Sequence, residues 1–383
     1  MPMTDQRPLI LLARIACDPM SADQRQLPPL SHADWSELLG HAGREGMDGL
    51  LHDWLSHEGL MPTVPPDIRQ RLQRNRAHRL LDYQIKRGAL EELLLRADGA
   101  GFRLLILQGM ALAEELYPPG TRPLSDIDLL VRPDEFDRVV RLLVGLGYTA
   151  VSRYPPVYAR NGVSIDLHQQ LAYLSRVEPA VNPLRIDEAM LWADAVRRPF
   201  GSAMAWVLSP VDQVVILSAH LQKHSFSRLI WFVDIGRLLN RLLKEQPLDA
   251  IRERAAQLKL DQPLYFVCAY LREVLNLPSL QSVLLRPPPL NWAERRLAAW
   301  LTGNHRIDGM GDLLYLLSIR SPSARRQFLR QTILPNTGMM REQVRSSSAM
   351  GMAWGYVGRF GLMTWRAVRL TGRLVRSSLQ AGR

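Results

Sequence analysis

Residues 122–131 read RPLSDIDLLV, and the two aspartates set one residue apart in that apolar stretch constrain the fold more than anything else in the chain. Side chains of a strand alternate between faces, so Asp126 and Asp128 leave the same face about 7 Å apart while Ile127 and Leu129 enter the other. Like charges so placed on a half-buried strand repel each other and lose hydration, a cost of several kcal/mol unless a cation lies between them. A divalent ion resolves the conflict. Magnesium suits the position, and manganese is the alternative, because carboxylate oxygens are hard ligands and the ion keeps places open for phosphate.

A third carboxylate stands in the same kind of setting at Asp166, within VSIDLH. If that strand lies beside DIDLLV, three carboxylates converge. That is the minimum for holding two metals about 4 Å apart and activating a hydroxyl for in-line attack on phosphorus. Upstream, the apolar run FRLLILQ (102–108) reads as a buried strand and MALAEELY as a short helix halted by Pro118, Pro119 and Gly120. Gly109 falls at the turn between them, where a missing side chain and free helix amides favour a phosphate. YTAVS, VYARN and VSIDLHQQL follow as short strands, after a helix with Phe136, Val139, Val140 and Leu143 on one face. An Asp-x-Asp pair alone is a weak signal, since solvated strand ends carry acids and sugar-nucleotide transferases use the same pair. Gly109, Asp166 and the strand-helix-strand rhythm give it weight.

The remainder of the chain reads as helix. Residues 31–51 carry a cap at Ser31 with Trp35, Leu38 and Leu39 on one face, RLLDYQIKRGALEELLLRADGAG stops at Gly99 and Gly101, and helix returns after Asn182. The expected architecture is α+β, a small mixed-sheet core flanked by helical N-terminal and C-terminal regions. The divisions fall at 1–95 (helical), 96–175 (core), 176–285 (helical) and 286–383 (linker RPPPLN and a basic helical region). Only Cys17 and Cys268 occur, too few for a disulfide framework, which points to a reducing compartment. LILLARIAC is broken by Arg14 and lacks the features of an export signal, and no window has the roughly 18 apolar residues of a membrane span. A cytoplasmic protein is expected.

LLILQGMALAEELYPPGTRPLSDIDLLV followed by VSIDLHQQL resembles the polymerase-β-type nucleotidyltransferase superfamily, and within it the large family of uncharacterised bacterial nucleotidyltransferases. The resemblance covers roughly residues 90–240. It implies a metal-dependent enzyme that moves a nucleoside monophosphate from a nucleoside triphosphate to an acceptor, small molecule or protein, that the sequence does not identify. Asp126, Asp128 and Asp166 would be the metal ligands and catalytic carboxylates, with Asp166 as ligand or base. Gln108, Gly109, Arg122, Ser125 and Lys223 would line the nucleotide. The chain departs from the pattern at Gln108, where many relatives carry lysine, so a weakened protein that binds a nucleotide or a partner is the alternative. A metal-dependent glycosyltransferase is a more distant one.

Several residues near the site carry two readings. His168 shares the face of Asp166 and either orients it or is a structural histidine. Arg122 either meets a phosphate or is a solvated arginine. His220, Lys223 and His224 share one helix face, which either closes the cleft, with Lys223 on the triphosphate, or holds a metal between the two histidines. Asp234 is expected to pair with Arg228 or Arg237 along its helix, and Trp231 and Phe232 to be core.

The formal charge of +11 belongs to one place. From Arg320 onward there are twelve arginines, no lysine and one acid, Glu342, so the tail carries the whole excess and residues 1–319 balance. Arg359, Arg366, Arg369, Arg373 and Arg376 gather on one helical arc beside a stripe of Phe360, Met363, Ala367, Leu370 and Leu374. Such a helix packs on the domain, lies peripherally on an anionic membrane surface at the inner face, or covers an RNA backbone.

Overall fold

The alternation around residue 128 sets the centre of the molecule. The computed structural model describes residues 7–17, 29–153, 156–171, 186–306, 309–319, 321–335, 337–344 and 348–380. Helices α1 (Arg7–Cys17), α2 (His32–Glu45), α3 (Asp48–His57) and α4 (Pro66–Gly99) lead into β1 (Leu105–Ile106), α5 (Gln108–Leu116), β2 (Ile127–Leu130) and α6 (Phe136–Gly145). Strands β3 (Thr149–Arg153), β4 (Pro156–Arg160) and β5 (Val163–His168) follow, then α7 (Glu188–Ala193), β6 (Val196–Phe200) and β7 (Ala203–Val207). The rest is helical: α8 (Pro210–Lys223), α9 (Leu229–Leu242), α10 (Leu248–Gln257), α11 (Asp261–Glu273), α12 (Pro278–Gln281), α13 (Trp292–Thr302), α14 (Met310–Ser318), α15 (Pro322–Ile333), α16 (Thr337–Val344) and α17 (Ala349–Gln380).

The seven strands form one mixed sheet in the order β3-β4-β5-β2-β1-β7-β6. Its faces bury different partners. Ile127 and Leu129 point into a cluster with Ile165, Leu167, Val139 and Leu143, closed by Leu90, Leu93 and Leu94 of α4. Leu130 and its cross-strand partner Leu105 point the other way, into a larger cluster that runs from Leu9 of α1 to Phe328 of α15. The 34-residue α4 is long enough to serve both, Ile68 and Leu72 in the larger cluster and Leu90 to Ala97 under the sheet. LILLARIAC, α1 here, buries Leu9, Leu12 and Ala13 in the larger cluster, which includes residues of α9.

Three local features differ from the sequence-based expectation, each for a visible reason. Residues 31–51 are two helices, because Gly46 adopts φ 74 and caps α2, whose other end is closed by reciprocal Ser31 and Asp34 hydrogen bonds. The apolar run at 102–108 yields only the short β1, because α5 already starts at Gln108. Residues 196–207 form the β6–β7 hairpin rather than helix, turning at Gly201 (φ 61), so the sheet takes strands from beyond residue 175. Ala203, Ala205 and Val207 are its buried alternate positions.

The backbone of α17 is helical over 32 residues, as the amphipathic pattern predicts. The side chains of Arg366, Arg369, Arg373 and Arg376, and of Ala367, Leu370 and Leu374, lie outside the described residues.

Candidate active site

The register of two strands assembles the acids. β2 and β5 run parallel as neighbours, with Asp128 opposite Asp166 and Leu130 opposite His168. A slip of one residue would send one acid to the apolar face, and the burial of Ile127, Leu129, Ile165 and Leu167 on that face forbids it. Asp128, Asp166 and His168 therefore share the face turned toward α8 and α9. His168 Nε2 lies 2.9 Å from Asp128 Oδ1, and among the described residues one ligand atom from each of the three falls within 4.8 Å of the other two. Asp126 stands one residue before the ladder begins, and its Oδ1 accepts from Ser125 Oγ at 2.7 Å. The close donor set is thus two carboxylates and an imidazole, with the third carboxylate at its edge. His168 joins this close group, and Asp126, which the sequence-based assignment names as a ligand, stands outside it.

Electrostatics mark this as a strained group. Burial pushes the Asp166 carboxyl up to about 6, and the charges of Asp128 and then Asp126 add to the rise. Asp126 is raised by burial and by Asp128. Carboxylates that raise each other's proton affinity in a half-buried cleft are matched by a hard divalent cation, so the residues fit magnesium or manganese.

A cleft of about 1360 Å³ opens over the acids, and Gln108, Gly109, Arg122, Ser125 and Lys223 line it together with His168, His220 and His224. Gln108 adopts φ 42, left-handed backbone that a non-glycine residue rarely holds. Gly109 lies close against the turn opposite. A Cβ there would stand 3.2 Å from Arg122 Nη1 and 3.3 Å from Leu124 Cδ2. Beneath that turn, the buried Lys86 of α4 pairs with Asp82 and donates to Leu124 O at 3.3 Å. No local pattern singles this lysine out in its charged helix.

Arg122 is not solvated, and its charge already has a partner. It is buried, with Nε 3.0 Å from Asp234 Oδ1 and Nη2 2.8 Å from Oδ2, while Tyr117 Oη donates to the same carboxylate at 2.6 Å. Asp234 is fully buried on α9 and pairs with neither Arg228 nor Arg237. Arg237 donates instead to the carbonyls of Ala16 and Leu116, both at 2.7 Å. A lone acid within LIWFVDIG, on a helix face with no room for water, is the signal that a distant cation must meet it.

The histidines at the end of α8, His220 and the capping His224, form an aromatic wall with Trp231. His220 and His224 have ring centroids 4.4 Å apart, and Trp231 of α9 lies 5.3 and 5.4 Å from them. Burial holds His220 neutral, with His224 beside it adding to the effect. Burial, reinforced by Lys223, lowers His224 to about 4. Trp231, read from sequence as core, lines the cleft, as does Arg228, whose guanidinium lies 5.7 Å from the Trp231 ring centre.

The family described as uncharacterised nucleotidyltransferases matches residues 31–276. No curated protein matches the chain. Among solved structures, an antigenic nucleotidyltransferase-like protein from Paracoccidioides brasiliensis is 16% identical, covering 50% of this chain and 92% of its own at a TM-score of 0.32, too loose a likeness to bear on any residue.

Proposed function

The chain belongs to the family of uncharacterised nucleotidyltransferases, and on that premise we propose that it transfers a nucleoside monophosphate from a nucleoside triphosphate to an acceptor, with pyrophosphate released. The observation that carries this reading is the pairing of Asp128 with Asp166 across adjacent strands, at the floor of a cleft, with His168 against Asp128. Asp128, Asp166 and His168, with Asp126 beside them, would hold magnesium or manganese, which when bound supplies positive charge to the phosphate oxygens of the nucleotide.

The chain's own groups supply the rest. Asp166, opposite Asp128 on the neighbouring strand, would take the proton of the acceptor hydroxyl. Lys223, whose charge reaches Asp166, gives the cleft a cationic wall for a triphosphate, and Arg228 stands farther along the same side. The uncharged rings of His220 and His224, with Trp231, offer a surface on which a base packs. Arg122 acts from within. Bound to Asp234 and donating to Pro123 O at 3.2 Å, it fixes the turn that delivers Asp126 and leaves a phosphate to other residues. Among the described residues no helix is long and apolar enough to cross a membrane.

A second reading, nucleotide binding without turnover, is favoured by Gln108, which brings no charge to the turn where many relatives place lysine. One experiment separates the two. Purified protein, cell extract, the four common triphosphates and magnesium are incubated together, and products are profiled by intact mass. We expect an acceptor to gain a nucleotide monophosphate with the wild type and not with the Asp126→Ala, Asp128→Ala variant. Saturable triphosphate binding with no such gain supports the second reading.

A further inference from the structure

Among the described residues, the C-terminal helix packs through one face. Its inner face packs on α15 and α16. A Cβ at Gly355 would meet Val344, Tyr356 Oη donates to Pro335 O at 3.0 Å, and Arg359 donates through Nε and Nη2 to Thr332 O at 3.1 and 2.9 Å. On the opposite side Met350, Trp354, Val357, Trp365 and Val368 fall within an arc of about 80°. All five are more than half exposed, Met350 at 73%, Trp354 at 69% and Trp365 at 53%. Phe360 and Leu362 flank this stripe and are also exposed. Large apolar side chains so aligned on a solvent-facing helix mark an interaction surface.

Charge decides which partner fits. Residues 349–380 hold five arginines, one of them the inward-turned Arg359, and no acid, and the chain from Arg320 onward holds twelve arginines and one acid. A second copy would set arginine against arginine. An RNA backbone would satisfy the arginines and leave the aliphatic part of the stripe in water. An anionic bilayer takes both, with tryptophan rings at headgroup level, apolar side chains below and arginines among the phosphates. We propose that α17, about 48 Å long, lies flat on an anionic membrane surface with the Met350–Val368 stripe inserted. The placement is independent of the chemistry at the cleft.

Full-length protein is floated with vesicles of phosphatidylcholine alone and of phosphatidylcholine mixed equally with phosphatidylglycerol. Binding is expected only to the anionic vesicles, falling about tenfold on raising salt from low to molar. It is expected to fall about tenfold again in the Trp354→Ala, Trp365→Ala variant. Both positions are exposed, and circular dichroism checks that the variant keeps its fold. In the wild type, brominated lipid quenches tryptophan fluorescence independently of any substitution. Equal flotation of variant and wild type, or none of the wild type, overturns the proposal. So does a wild-type dimer that the variant reduces to a monomer, which would assign the stripe to a second copy. RNA held tightly enough to displace the vesicles would assign the helix to RNA and overturn it as well.

Discussion

Asp166→Asn should stabilise the metal-free protein while removing its chemistry. The folded state holds the Asp166 carboxyl at about 6, against an ordinary value of 3.8. Between those two values the folded protein binds more protons at this residue than the unfolded chain, so stability falls as pH rises through that window. That rise from 3.8 to about 6 corresponds to about 3 kcal/mol. Solvent at the cleft mouth screens part of it, which leaves about 1–3 kcal/mol above pH 6. Asparagine carries no such cost. For 383 residues the entropy of unfolding is about 0.8 kcal/mol/K, so the thermal midpoint should rise by about 1–4 °C. The assay is a thermal melt with chelator at pH 8 and again near pH 3.5, where the carboxyl is mostly protonated in both states and the gap should shrink to about 0.2 kcal/mol. Manganese at about a hundred times its dissociation constant should add about 2.7 kcal/mol to the wild type alone and close or reverse the gap. A gap of equal size at both pH values, or no gap at pH 8, would refute the claim that Asp166 is a carboxylate crowded by Asp128 and Asp126.

Further consequences follow from individual contacts. Asp234→Ala leaves the buried Arg122 guanidinium uncompensated and should cost about 3–5 kcal/mol in urea unfolding, whereas Arg122→Met with Asp234→Leu should cost markedly less. Gly49→Ala puts a Cβ 2.1 Å from Thr121 O, a backbone clash at the segment leading to Arg122, and should lower stability by about 1–3 kcal/mol. At Gly43, in α2 with nothing within 4 Å of the added carbon, the same change should stabilise by about 0.5–1 kcal/mol, so paired melts test the contrast. His168→Ala should weaken manganese binding about tenfold, read by the electron paramagnetic resonance of the free ion.

What the sequence makes legible here is what local periodicity carries. Alternation at 126–129 and 164–167 places the acids on one face of their strands. Whether those faces coincide depends on β5 pairing parallel to β2 in one register, and a strand's own pattern does not name its neighbour. The α17 pattern is visible as amphipathic, yet the side that is covered is set by Gly355 meeting Val344. The β6–β7 hairpin is harder to read. Its outer strand, VRRPF, carries two arginines and a proline, composition that an edge strand tolerates and that hides alternation. Arg122 and Asp234 are 112 positions apart, so their union belongs to tertiary packing alone.

The sheet order has a practical bearing on dissection of this protein. β1, the strand that leads into the Gly109 turn, is flanked by β7 on the side away from β2. A fragment ending near residue 175 would carry Asp126, Asp128 and Asp166 and still strip β1 of that neighbour, leaving a bare row of backbone donors and acceptors ready to recruit another chain. The same cut would remove Asp234 and strand a buried guanidinium. The smallest portable version of this site therefore extends at least through α9, and trimming to the motif would yield aggregate in place of a minimal enzyme.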